Sequence, residues 1–326
     1  MFKKTSIIKN SLLILLVFLG ASCAPKDNSK ILQIGHFPNI THAQALIAHQ
    51  MSIEGNGWFE RYLGEDITIQ WRIFNAGPSA MESLFTGSVD ITYVGPNPAI
   101  NAFVRTKGDD VRIIAGSADG GAALLVAENS DIKTPADFRG KKIATPQLGN
   151  TQDVICRAWL IKNGINVTLS GGDAQVIPTS NPDQLALLLT KNVDAVWTVE
   201  PWISRLEESA KAKVFLEQPD AVTTVLVSNV KTLKNRPELV EKLVQAHKDL
   251  TQWMIDNPQE AQEIVIRSLE NITKSKISPE LIKNSWNRII FTSEINKKSI
   301  NDFIDASLEC SFVKERPDIN KLIDAR

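Results

Sequence analysis

Between residues 31 and 228 the chain keeps switching its hydrophobic period, and that switching restricts the fold more than any other feature. Ten short Val- and Ile-rich runs read as strands: 31–37, 68–74, 89–95, 111–117, 122–127, 141–145, 174–178, 193–199, 213–217 and 223–228. They are bounded by Gly, Pro, Asn or Asp, and amphipathic stretches lie between many of them. Strands alternating with helices predict an α/β fold of βαβ units with mostly parallel sheets. From Pro237 onward the pattern is helical to the end, with starts near Pro237, Pro258, Ser278 and Glu294. At 326 residues the chain is long enough for two domains.

One pattern occurs twice. Leu84-Phe85-Thr86-Gly87-Ser88-Val89-Asp90 leads through an apolar strand to Gly95-Pro96-Asn97-Pro98. Leu188-Leu189-Thr190-Lys191-Asn192-Val193-Asp194 leads in the same way to Glu200-Pro201-Trp202. Two similarly built lobes would produce this echo, although junctions of helix, turn and strand also converge on such residues.

Six strand-to-helix turns carry Pro, Gly, Asn, Ser or Thr where a helix should begin. They are Phe37-Pro38-Asn39-Ile40-Thr41, Asn75-Ala76-Gly77-Pro78-Ser79, Gly95-Pro96-Asn97-Pro98, Leu148-Gly149-Asn150-Thr151-Gln152, Pro178-Thr179-Ser180-Asn181-Pro182 and Glu200-Pro201-Trp202. A helix N-terminus has free N–H groups and a positive dipole end. Several of them around one cleft would hold an anion or polar ligand without an Arg, beyond the carboxyl ends of the strands. For a single turn, simple capping is the plainer reading. Ser79, Asn97 and Thr151 mark three of the expected anion-binding termini. Glu200 precedes a helix start and reads first as a dipole cap, and Arg157 reads as the partner of Asp153 four residues back. Trp197 reads as core, and Trp202 as apolar surface for a short organic tail.

No catalytic pattern competes. The chain has no Gly-x-Ser-x-Gly elbow, no phosphate loop ending in Gly-Lys-Ser/Thr and no His-Glu-x-x-His. His36, His42, His49 and His247 lack metal-ligand spacing, and neither metal nor cofactor is expected. Cys156 and Cys310 lie far apart, and Cys156, in an apolar helical stretch, reads as a buried free thiol. With 36 basic and 37 acidic residues the net charge is -1, which gives no electrostatic case for nucleic acid.

The N-terminus has the layout of an export signal. Lys3, Lys4 and Lys9 precede an apolar run, which ends in Gly20-Ala21-Ser22-Cys23. The run is too short to span a bilayer, which takes about 20 residues. The four residues ending at Cys23 resemble a bacterial lipobox, with Gly20 where Leu is usual. Lipidation of Cys23 is the preferred reading, and an ordinary cleaved signal the alternative. The polar stretch after Cys23 reads as a tether.

The runs IGHFPNITHAQALIAHQ, FNAGPSAMESLFTGSVDITYVGPNPAINAF, GSADGGAALLV, KKIATPQLGNTQDV and VDAVWTVEPWISRL resemble the aliphatic sulfonate, nitrate and taurine group of ABC-transporter substrate-binding proteins. The resemblance covers nearly the whole chain after the tether. It implies a two-lobed type II periplasmic-binding-protein fold with a ligand cleft between the lobes and a helical C-terminal region. It divides the chain into a signal peptide at 1–22, a tether at 23–30, lobe I at 31–117 and 222–326, and lobe II at 118–221. Crossings are expected near 115–120 and 219–224. The binding positions it implies are Asn39, Thr41, His42, Ala76, Gly77, Pro78 and Asn97 on the first lobe. On the second they are Gly121, Thr151, Gln152 and Glu200, with Trp202 as a wall and Thr223 at the return crossing. Gln147 and Asn150 are further candidates. The implied protein is an exported monomer, held at the membrane by its lipid. It would deliver a small, anionic solute to the permease and ATPase subunits of an importer, with a neutral or zwitterionic solute, its amine meeting Glu200, as the alternative. The alternatives are an enzyme on the same fold, a receptor's sensing part, and a binder of a vitamin or thiamine precursor.

Overall fold

A computed structural model describes residues 30–326. The expected signal segment, Cys23 and the tether up to residue 29 lie outside the described residues. Two sheets dominate. The six-stranded sheet has the order β13 (Ile289–Phe291), β4 (Val111–Gly120), β12 (Val222–Asn229), β3 (Ile91–Val94), β1 (Ile31–His36), β2 (Thr68–Ile73). The five-stranded sheet has the order β11 (Lys213–Glu217), β5 (Ala122–Val126), β10 (Ala195–Val199), β6 (Lys142–Thr145), β9 (Gln175–Pro178). A small hairpin, β7 (Val167–Thr168) with β8 (Gly171–Gly172), stands apart.

The helices that follow the strands of the first sheet are α1 (Ala43–Ile53), α2 (Trp58–Leu63), α3 (Gly77–Phe85) and α4 (Pro96–Arg105). Those of the second sheet are α5 (Thr151–Lys162), α6 (Asn181–Leu189) and α7 (Trp202–Ala210). The C-terminal part adds α8 (Val230–Asn235), α9 (Pro237–Asp256), α10 (Pro258–Thr273), α11 (Pro279–Trp286), α12 (Lys297–Glu309) and α13 (Ile319–Leu322). The central strands are buried along their whole length, as a sheet covered on both faces requires, and side chains on the two faces enter different cores. In the first sheet Ile91, Tyr93, Ile114 and Leu226 face the core shared with α1, α9 and α10, while Val94, Ile113, Val225 and Val227 face the core shared with α3, α4 and α12. In the second sheet Trp197 and Val196 likewise belong to opposite cores.

Two expectations need correction. The sheets are mixed rather than mostly parallel. β1 pairs parallel with β2 and β3, and β6 with β9 and β10, but β12 runs antiparallel to both β3 and β4, and β5 to both β10 and β11. The reason is topological: β4 carries the chain toward the second sheet and β12 brings it back, so the two must oppose each other. The C-terminal part is also not helical throughout. Ile289–Phe291 forms β13 on the edge of β4, and the last long helix begins after the Asn296 cap, not at Glu294.

The echo corresponds to α3–β3–α4 and α6–β10–α7, and its two aspartates act alike. Asp90 accepts from the Gln33 N–H at 2.9 Å, and its own N–H donates to the Gln33 carbonyl at 2.9 Å. Asp194 does the same to Lys142, both at 2.8 Å. Each clamps the neighbouring parallel strand at its start and thereby helps to set the register.

The chain leaves the first sheet at Gly120-Gly121, where φ is +73° and +65°, and returns between Glu217 and Val222. The two crossings touch, for the Gly120 N–H donates to the Ala221 carbonyl at 2.8 Å. A Cβ on Gly120 would lie 2.6 Å from the carbonyl oxygens of Pro219 and Arg288, so this corner needs glycine for both φ and space.

Candidate functional site

Five of the six turns come together around one cavity between the sheets. The turn after β1 contributes Phe37, Asn39, Thr41 and His42; that after β2 contributes Asn75, Ala76 and Gly77; that after β3 contributes Gly95 and Pro98. From the other side come Asn150, Thr151 and Gln152 after β6, and Asn181 after β9. Pro146, Val199 and Thr223 complete the lining. Every one of these five turns sits at the carboxyl end of a parallel strand, where open α/β sheets leave room for ligands.

Local sequence explains the geometry. Pro occupies the first turns of α3, α4 and α6, where a missing N–H is harmless and a fixed φ favours helix entry. Asn150 caps α5 by accepting from the Asp153 N–H at 2.9 Å. Gly77 and Gly95 allow close approach: a Cβ at Gly77 would overlap the Pro98 ring, and one at Gly95 the Thr151 hydroxyl. The N-terminal ends of α3, α4, α5 and α6 all reach the cavity wall, so their positive dipole ends combine there.

The cavity is tight. Its volume is ≈ 30 Å³ on the measure by which one water needs about 10–15 Å³. Contacts bridge its two sides. The Trp202 indole N–H donates to Asn39 Oδ1 at 3.1 Å, the Asn97 N–H to Thr151 Oγ1 at 3.4 Å, and Asn101 Nδ2 to the Gly149 carbonyl at 3.4 Å.

No Asp, Glu, Lys or Arg lines the cavity among the described residues. Among the described residues, His42 is the one titratable group on its wall. Burial, with His36 nearby as a smaller contribution, holds its pKa well below 6.5, so the ring is neutral. Its Nδ1 accepts from the Phe37 N–H at 3.4 Å, and the ring stacks on Phe37 with centroids 4.5 Å apart. The proton is therefore on Nε2, as a donor. Nearby, Asp153 is fully engaged. It accepts from Thr145 Oγ1 and the Gly149 N–H, and forms a buried ion pair with Arg157 at 3.1 Å.

Of the positions singled out from the sequence, Asn39, Thr41, His42, Ala76, Gly77, Thr151, Gln152 and Thr223 line the cavity, as does Asn150. The others do not. Ser79 is exposed, and its hydroxyl donates back to the Ala76 carbonyl at 2.8 Å. Pro78 beside it is half-buried and off the wall. Asn97 is buried, but its amide donates to Ser307 Oγ at 2.8 Å and the Phe303 carbonyl at 3.3 Å, which ties α4 to α12. Gly121 serves the backbone, its carbonyl accepting from the Glu200 N–H. Gln147 is not on the wall. Trp202 reaches the site only through Asn39.

Glu200 is the largest departure. It is buried, and its oxygens accept from Ser204 N–H and Oγ, Ser285 Oγ and Arg288 Nη1 at 2.9–3.1 Å. Burial pushes its pKa up, and those partners oppose the shift. Its carboxylate thus holds elements together and does not line the cavity. The lining residues Phe37, Asn75, Gly95, Pro98 and Asn181 belong to the turns singled out from sequence but were not selected within them. Pro146 and Val199 lie outside those turns and were not singled out.

The histidines take structural places. His36 Nδ1–H donates to the Phe37 carbonyl at 3.2 Å, and its Nε2 accepts from His49 Nδ1 at 2.9 Å. His247 joins the Tyr93 hydroxyl to the Gly116 carbonyl. Trp197 is fully buried in the core of the second sheet. Cys156 and Cys310 are free thiols.

Residues 25–268 match the sequence model described as the NMT1-like family. Among curated relatives, binding proteins of Brucella abortus are 25% identical over 215 residues, and the chain spans 64% of their length. A protein of Bacillus subtilis (strain 168) named for binding aliphatic sulfonates is 26% identical over 332 residues, covering 99% of this chain and 93% of that one. The taurine-binding periplasmic protein of Escherichia coli (strain K12) is 26% identical over 214 residues, 64% of this chain and 62% of that one. In fold, the chain is similar to the alkanesulfonate-binding protein of Xanthomonas axonopodis pv. citri bound to MOPS. The TM-score is 0.73 at 18% identity, over 91% of this chain and 99% of that one.

Proposed function

The chain belongs to the NMT1-like family, and from that footing we propose that it is an exported solute-binding protein that delivers a small anion to an ABC importer. One observation carries the reading. Turns from both sheets surround a single cavity of ≈ 30 Å³ with helix N-termini, amides and hydroxyls, and with no charged side chain among the described residues. Such a wall replaces the water of a compact anion by fixed N–H and O–H donors, so no formal counter-charge is needed. The relatives named for sulfonates and taurine support a sulfonate or similar head group. A binding role fits this geometry better than catalysis: the one titratable wall residue is a neutral histidine hydrogen-bonded to backbone.

In this reading residues 31–117 and 222–326 form lobe I, and 118–221 form lobe II. Solute bound to both lobes stabilises the closed arrangement about the crossings at 115–120 and 219–224. Cys23 carries the lipid that holds the monomer at the membrane, beside the permease and ATPase subunits that receive the solute. Replacing Cys23 with Ser would leave an unlipidated precursor. Unchanged membrane retention and mature mass would refute the anchor.

The direct test is a thermal-shift and calorimetric screen of small sulfonates, nitrate and carboxylates against neutral compounds of equal size. A true solute at 100 times its Kd stabilises the protein by about 2.7 kcal/mol. A large neutral compound as the best ligand, with no small anion binding, would overturn the reading.

A further inference from the structure

The wall of the cavity is rich in hydrogen-bond donors and holds no carboxylate among the described residues. Five carboxamides line it, and four of them, all but the exposed Asn75, already have their oxygens bonded within the protein. Asn39 Oδ1 accepts from the Trp202 indole, Asn150 Oδ1 from the Asp153 N–H, Gln152 Oε1 from Asn150 Nδ2 at 3.4 Å, and Asn181 Oδ1 from Thr198 Oγ1 at 3.3 Å. Their engaged oxygens leave amide NH2 groups as the freer ends. His42 adds an Nε2–H, because its other nitrogen accepts from Phe37. Four helix N-termini contribute a positive field.

An ammonium group needs the opposite: acceptors and negative charge. The carboxylates that flank the turns cannot supply it. Glu200 is held by Arg288, Ser204 and Ser285, and Asp153 by Arg157, Thr145 and the Gly149 N–H. Turning either toward a solute would strand a buried or half-buried guanidinium.

We infer that this cleft selects anions that lack an ammonium group and discriminates against zwitterions of the same size and head group. The inference rests on the small-anion reading above and sharpens it. One relative is named for taurine, an aminosulfonate, and others for aliphatic sulfonates. On the donor-lined wall this chain falls on the side of the unsubstituted sulfonates.

The test uses matched ligands on the wild-type protein by titration calorimetry. One series is ethanesulfonate, 2-hydroxyethanesulfonate and taurine; a second is propionate and β-alanine, which covers a carboxylate head. At neutral pH each ammonium compound is expected to bind roughly tenfold or more weakly than its amine-free partner. Above the amine's own pKa, where that charge is gone, the gap is expected to close. If taurine or β-alanine binds within threefold of its partner at neutral pH, the inference fails while the anion reading stands. If the gap is unchanged once the amine is neutral, the discrimination is one of shape and the charge argument fails. If no member of either series binds, the small-anion reading falls and takes this inference with it.

Discussion

The buried carboxylate of Glu200, just past the end of β10, lies 3.0 Å from the guanidinium of Arg288, which follows α11 and precedes β13. The pair joins the two sheet-centred units beside their crossings. Arg288 also meets Glu207 at 2.8 Å and Glu217 at 3.1 Å, so one cation serves three carboxylates of the second unit.

Removing Arg288 would leave Glu200 buried without its charge partner. Arg288→Ala is expected to destabilise the protein by about 3 kcal/mol, the low end for breaking a buried pair because Arg288 is itself 25% exposed. Glu200→Gln keeps the size and some hydrogen bonds, and should cost less. Urea unfolding midpoints measure both. Equal, small losses would mean that the network contributes little.

The contrast between Thr151, Ser79 and Asn97 separates the wall from its surroundings. Thr151→Ala should weaken anion binding by roughly 1.5–3 kcal/mol, the range for a hydrogen bond to a charged group. Ser79→Ala should bind as wild type, since that hydroxyl is exposed and bonded to Ala76. Asn97→Ala should reduce stability by about 1 kcal/mol or more through its lost bonds to α12, with affinity the lesser change. Calorimetry and unfolding on the same three variants check the assignment. Loss of affinity in Ser79→Ala would contradict it.

Gly120 is irreplaceable for two reasons at one atom. With φ at +73° and two carbonyl oxygens 2.6 Å from where a Cβ would be, Gly120→Ala is expected to cost about 1–3 kcal/mol. Gly140, also at positive φ but with open space around it, should tolerate Ala at the smaller cost of φ alone. The difference in unfolding midpoint between the two variants reads the packing contribution.

Acid should destabilise the fold through its buried histidines. Burial, then His49, lowers His36 to about 3, and burial lowers His247 to about 4. Both are neutral in the folded chain, while the unfolded chain takes up protons below about 6.5. Their stability contribution is therefore complete above pH 6.5 and is lost as pH falls toward 4. Each group accounts for up to about 1.4 kcal/mol per pH unit in that window. His247→Gln can still bridge Tyr93 and Gly116 but does not titrate, so its stability should fall less steeply between pH 6.5 and 4.5. An identical slope would remove His247 from the account.

Much of this was legible in the linear chain because it depends on neighbours in sequence. All ten expected strand runs correspond to strands, since apolar alternation and Gly/Pro boundaries are local properties. The helix entries at Pro237, Pro258 and Ser278 follow from Pro and Ser chemistry in the first turn. The paired Val-Asp junctions mark the same helix–strand–helix unit twice, but the clamping role of their aspartates appears only in the structure. What escaped notice depends on partners far along the chain. Ile289–Phe291 is too short to carry a period and becomes a strand only because β4 offers an edge. The antiparallel halves of both sheets follow from the crossing route and have no local signature. Glu200 looked available for a solute until Arg288 and Ser285, more than eighty residues away, met its oxygens. Local sequence determined that six turns would present helix N-termini. Tertiary structure alone decided that five of them share one cavity and which way their amides point, because convergence and hydrogen-bond partners are set by packing between distant elements.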